Sequence, residues 1–133
     1  MTINPEISDY LVEKKIFPDK TVLNKEGAVT NRIYIILKGK AKIKKRGSKG
    51  LITIDTLSEG DFIGEMELLK QGDRSQVVST VADGPLSLGL LDTDRLVREW
   101  NAQPDKLKIL ISNLMLKLDN MINKAVVNVE MSK

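Results

Sequence analysis

The sequence predicts a mainly β domain, an antiparallel sandwich or barrel with flanking helices, and three observations carry that expectation. Short apolar strands recur at roughly ten-residue spacing between Thr21 and Leu91. Glycine-bearing turns separate them, among them Lys25-Glu26-Gly27, Leu57-Ser58-Glu59-Gly60 and Asp83-Gly84-Pro85. The last third then changes to helical periodicity. A chain of 133 residues fits one such domain and leaves little room for a second.

Taken in order, residues 3–16 read as a helical lead-in, with Ile7, Tyr10, Leu11 and Lys14 at helical spacing and Pro18 as its stop. Thr21-Val22-Leu23 reads as a short strand. Arg32-Ile33-Tyr34-Ile35-Ile36-Leu37 is almost continuously apolar, the pattern of a strand covered on both faces. Lys38-Gly39 marks a turn or bulge, after which Ala41-Lys42-Ile43-Lys44 alternates with period two. Arg46-Gly47-Ser48-Lys49-Gly50 is a hairpin loop, and Leu51-Ile52-Thr53-Ile54 is the strand that returns from it. Met66-Glu67-Leu68-Leu69 fits one helical turn. Gln76–Val81 and Leu86–Leu91 read as two strands, broken at Asp83-Gly84-Pro85.

Thr93 or Asp94 would cap a helix over Arg95–Asn101, which Gln103-Pro104-Asp105 interrupts. A long helix then runs from about Lys106 to Val127. Leu107, Ile111, Leu114, Leu118, Met121 and Ala125 follow one another by four and three, a heptad seam of the kind that pairs helices. Ile109, Leu110, Met115, Leu116 and Ile122 add a second apolar side, which leaves two readings: the helix packs wholly on the barrel, or it lays one face on the barrel and one on a partner subunit. That seam makes a homodimer the expected assembly.

Composition removes whole classes of chemistry. The chain has neither histidine nor cysteine, which excludes Ser-His-Asp and Cys-His catalysis, the usual zinc sites and His-ligated iron or manganese. No paired-carboxylate site stands out, so no catalytic residue, metal or cofactor is assigned and the expectation is a protein that is not an enzyme. The lack of thiols, of an N-terminal signal pattern and of any apolar run near the ~18 residues that cross a bilayer fits the cytoplasm. The formal charge of +3 is concentrated at Lys38, Lys40, Lys42, Lys44, Lys45, Arg46 and Lys49. Such a cluster can attract nucleic acid or anionic lipid, but no aromatic residues interleave to stack on bases. A solvated strand face whose lysines discourage edge pairing is the favoured reading.

Gly60-Asp61-Phe62-Ile63-Gly64-Glu65, with Arg74-Ser75 nine residues after the glutamate, is the most specific motif. With Gly27, Tyr34-Ile35-Ile36-Leu37-Lys38-Gly39 and Leu68-Leu69, it resembles the cyclic nucleotide-binding domain. That domain is the sensory module of catabolite-activator-type regulators, cyclic nucleotide-dependent kinases and gated channels. The resemblance spans about residues 12–125. It implies a double-stranded antiparallel β-helix, a cupin-like jelly-roll barrel, over 20–92, followed by C-terminal helices over 94–128.

The chemistry of such a cassette can be stated from its residue types. A cyclic phosphate carries one negative charge and several acceptor oxygens, which suit the N–H groups opening a short helix and a guanidinium. A ribose hydroxyl donates well to a carboxylate. The resemblance therefore implies that Arg74, Ser75 and the backbone at Met66 and Glu67 hold the phosphate, while Gly64 and Glu65 take the ribose. Aligned through Gln103-Pro104-Asp105, Met121 and Ile122 fall beside the base, and the implied ligand is cAMP or cGMP. The chain departs from the family pattern at Glu67, where a small residue is usual, at Asp73 for a frequent proline, and at Gln76. A carboxylate at Glu67 close to the phosphate would cost about 4 kcal/mol at intermediate dielectric unless it turns into solvent. Up to Lys133 the sequence holds no helix-turn-helix, kinase or channel segment after the long helix, so the expectation is either a sensor without a built-in effector or a fragment of a longer protein. The alternative is a degenerate domain of the same fold that has lost its ligand and serves dimerisation or protein interaction.

Overall fold

The computed structural model describes residues 3–65 and 78–131. Six strands and three helices appear among them: α1 (Pro5–Ser8), β1 (Leu11–Phe17), β2 (Val22–Asn24), β3 (Tyr34–Gly47), β4 (Gly50–Leu57), β5 (Phe62–Ile63), β6 (Ser79–Leu91), α2 (Thr93–Asn101) and α3 (Asp105–Met131). All pairings are antiparallel, in the order β1-β6-β3-β4, with β2 added to β6 and β5 to β3. The expected mainly β architecture with a long C-terminal helix is present.

The two long strands form a spine that serves different neighbours along its length. One end of β3 pairs with β5 at Tyr34 and Ile35, the other with β4 from Ala41 to Gly47. In the same way β6 pairs with β2 near Thr80 and Val81 and with β1 from Leu86 to Leu91. Between these halves the ladder slips: as β3 advances from Lys38 to Lys40, β6 runs from Ser87 to Asp83. That bulge holds Gly39 (φ +100°) opposite Gly84-Pro85, and a Cβ on Gly39 would stand 2.5 Å from the Pro85 carbonyl oxygen. Bulges bend strands and increase their twist, which lets one pair of strands belong to both halves of a barrel.

This bulge corrects the expected break at Asp83-Gly84-Pro85. The residues bend one strand, and pairing resumes on both sides of them. A proline without an N–H is tolerated there because the bulge removes its ladder partner. Lys38-Gly39 behaves as the expected bulge. The hairpin is tighter than the five-residue loop, with Gly47 facing Gly50 across Ser48-Lys49. The lysine-rich part of β3 is no edge, since β6 and β4 flank it, and Lys45 pairs with Glu26 at 3.2 Å.

The lead-in helix over 3–16 is also corrected. Only Pro5–Ser8 is helical, capped by Asn4 Oδ1, which accepts from the Glu6 N–H at 2.9 Å. Leu11–Phe17 instead takes the free side of β6. Ile7, Tyr10 and Leu11 still pack on Ile33, Ile35 and Leu91 as their spacing required. What the spacing concealed is that a single helical turn followed by a strand satisfies it too. The cap of α2 is Asp92, whose Oδ1 accepts from the Arg95 N–H at 3.1 Å. Thr93, one of the two expected caps, accepts from the Ile33 N–H at 3.3 Å instead.

The core lies on both faces of β3. Tyr34 and Ile36 point into the barrel with Ala41, Ile63, Ala82, Leu86 and Leu88. Ile33 and Ile35 point outward and are covered by Ile7 of α1, Tyr10 of the turn after it and Leu96 of α2. The continuous apolar run is thus two alternating sets, each with its own cover. Arg95 ties the cover down: its guanidinium lies 4.2 Å from the Tyr10 ring centroid and bonds Asp9 Oδ2 at 3.0 Å and Glu99 Oε1 at 3.1 Å. The Tyr10 hydroxyl donates to Glu99, and this bond holds its phenol above the usual pKa.

Candidate functional site

The Gly60–Glu65 segment is shaped by its own turn chemistry. Asp61 Oδ2 accepts from the Ser58 N–H at 2.8 Å and closes the turn, with Gly60 at φ +91°. The Gly60 N–H donates to the Ile36 carbonyl, and the Ile36 N–H donates to the Asp61 carbonyl, both at 2.9 Å. The turn is therefore fastened to the most deeply buried part of β3. Phe62 and Ile63 then alternate in the two-residue strand β5, Ile63 buried in the barrel and Phe62 packed against the outer cluster.

Gly64 has two independent reasons to be glycine. Its φ is +89°, in the left-handed region. A Cβ there would also lie 2.6 Å from the Arg32 carbonyl oxygen and 3.1 Å from Asn24 Nδ2. The backbone therefore passes unusually close to the ends of β2 and the β2–β3 connection.

Glu65 is half-buried and lines a cavity of about 260 Å³ with Ile7, Tyr10, Ile33, Phe62, Leu91 and Leu96. That lining is apolar apart from Glu65 and Tyr10 and has no cation, so it does not suit a phosphate. Met66, Glu67, Arg74 and Ser75, the expected phosphate ligands, lie outside the described residues, as do Asp73 and Gln76. Met121 and Ile122 lie on α3, the first 62% exposed and the second half-buried. The helix meets the barrel on β3 and β4, where Glu130 accepts from the N–H of Ser48 at 3.2 Å and from its hydroxyl.

One polar residue went unnoticed in the sequence. Asn24 is buried at the end of β2 beside Gly64. An asparagine between a short strand and a glycine turn reads as turn chemistry, and only its burial separates it from that class. Among the described residues no three acidic side chains converge as metal ligands, and no described helix is long and apolar enough to cross a membrane.

Comparison with known proteins agrees with this architecture. Residues 14–101 match the family model described as the cyclic nucleotide-binding domain. The chain is 29% identical over 103 residues to a cAMP-dependent protein kinase regulatory subunit of Yarrowia lipolytica, covering 77% of this chain and 26% of that protein. It is 33% identical over 89 residues to a CRP-like cAMP-activated global transcriptional regulator of Mycobacterium tuberculosis, covering 65% of this chain and 38% of that one. The chain thus spans well under half the length of these relatives.

Among solved structures, a cyclic nucleotide-binding domain from Methylobacillus flagellatus superposes with a TM-score of 0.63 at 26% identity, covering 96% of this chain and 71% of that one. An EAL enzyme in its cAMP-bound form superposes at 0.74 and 21% identity, over 90% of this chain and 32% of that one, a likeness of fold. The chain belongs to the cyclic nucleotide-binding domain family.

Proposed function

We propose that this domain binds cAMP or cGMP as a regulatory module and transmits occupancy through α3. The observation that carries the reading is Gly64. It combines a left-handed backbone, close approach to the barrel wall and a glutamate directly after it, in a chain that matches the family over 14–101. In this reading Gly64 and Glu65 take the ribose, while Arg74, Ser75 and the backbone of Met66 and Glu67 take the phosphate. Met121 and Ile122 border the base. The thiol-free composition suits a cytoplasmic setting, and the function needs no catalysis by this domain. Similarity to the cAMP-dependent kinase regulatory subunit and the CRP-like cAMP-activated regulator supports a cAMP-linked role of this kind.

The same reading includes a homodimer through Leu107, Ile111, Leu114, Leu118 and Met121. Leu107, Leu114, Leu118 and Met121 are exposed on one chain, and Ile111 is half-buried. That exposed stripe equally favours the alternative, a ligand-free domain used for protein interaction, and the carboxylate of Glu67 adds to it. Calorimetric titration with cAMP and cGMP separates the two readings. Heat from at least one ligand, reduced at least tenfold in affinity by Arg74→Ala, supports the sensor. No heat from either at millimolar concentration refutes it in favour of the interaction module.

A further inference from the structure

Asn24 is 5% exposed, yet its Nδ2 has no hydrogen-bond partner among the described residues. A buried donor of this kind has given up water and gained nothing from the fold, so such groups call for an explanation. The backbone around it is in order: Asn24 stands opposite Thr80 in the β2–β6 pairing, itself 4% exposed, and Leu23 packs on the barrel core. An aliphatic side chain of similar size would close this part of the wall with no unpaired amide.

Its position gives the orphan donor a use. Nδ2 lies 3.1 Å from the place a Gly64 Cβ would occupy, so the amide rests against the first residue of the Gly64-Glu65 step. We propose that Asn24 is a ligand-binding residue, its Nδ2 donating to an acceptor oxygen of the sugar–phosphate ring of a bound cyclic nucleotide. This rests on the reading above that the barrel takes such a ligand at Gly64-Glu65. Sugar and phosphate oxygens of that ring are acceptors, and an amide serves them without adding charge. Binding then completes a bond left open among the described residues.

The test compares the unaltered domain with Asn24→Leu and Asn24→Ala, by thermal melting without ligand and by calorimetric titration with cAMP and cGMP. The leucine variant melts no lower than the original, and up to about 3 °C higher, while its nucleotide affinity falls about tenfold. The alanine variant, which fits beside Gly64 even if leucine does not, shows the same loss of affinity. Unchanged affinity in either folded variant, with the unaltered domain binding normally, overturns the role of Asn24 and leaves the sensor reading standing. A leucine variant that folds but melts far lower marks a structural amide and also overturns it. An unaltered domain that binds neither nucleotide removes both.

Discussion

The apolar run Ile33–Leu37 that opens into β3 and the apolar positions of α3 are treated by the fold in opposite ways. In β3 and the residue before it, Ile33, Tyr34, Ile35 and Ile36 are all buried, shared between the barrel interior and the outer cluster. In α3 the buried residues are Ser112 and Val126, while Leu107, Ile109, Leu110, Leu114, Leu116 and Met121 are exposed. The difference teaches where apolar surface has already been used. The barrel buries this run within one chain, while the helix leaves apolar area exposed on it.

That contrast is broken most forcefully by truncating each segment in turn. Ile36→Ala removes a fully buried branched side chain from the barrel and should cost about 2–5 kcal/mol in urea unfolding. Leu114→Glu on the open face of α3 should change monomer stability by only about 0.5 kcal/mol. It should nevertheless reduce the mass seen by light scattering at high concentration from dimer to monomer. A barrel indifferent to Ile36→Ala, or a helix variant that unfolds the monomer, would erase the distinction.

Gly64→Ala sharpens the comparison within the barrel, because it strains the backbone without emptying the core. With φ at +89° and the Arg32 carbonyl 2.6 Å from the new Cβ, the loss should be about 1–3 kcal/mol by thermal or urea unfolding. Its effect on nucleotide affinity should exceed that of Leu114→Glu, since one lies at the proposed nucleotide site and the other on the helix proposed to transmit its occupancy.

Much of the fold was legible because its strongest local signals coincide with its tightest packing. The run Arg32–Leu37 had to be covered on both faces, and the Gly60–Glu65 signature places glycines where φ is positive. The heptad spacing of α3 was visible for a different reason, since helical periodicity is local and shows even where the seam lies exposed on this chain. β1 was hidden because Glu13-Lys14-Lys15 interrupt any alternation, and Val12 and Ile16 stay exposed on an outer strand. The continuity of β6 was hidden because Asp83-Gly84-Pro85 has turn composition wherever it falls, and only the opposing Gly39 converts it into a bulge. Asn24 was hidden because burial is a property of the assembled barrel and not of its own strand.

The division of labour between barrel and helix can be read in one experiment, amide hydrogen exchange with and without saturating cAMP. Binding at the end of β5 with transmission through α3 should slow exchange at Gly64 and Glu65 and change it along residues 107–121 in the same titration. Exchange that is unaltered in both segments would contradict the account.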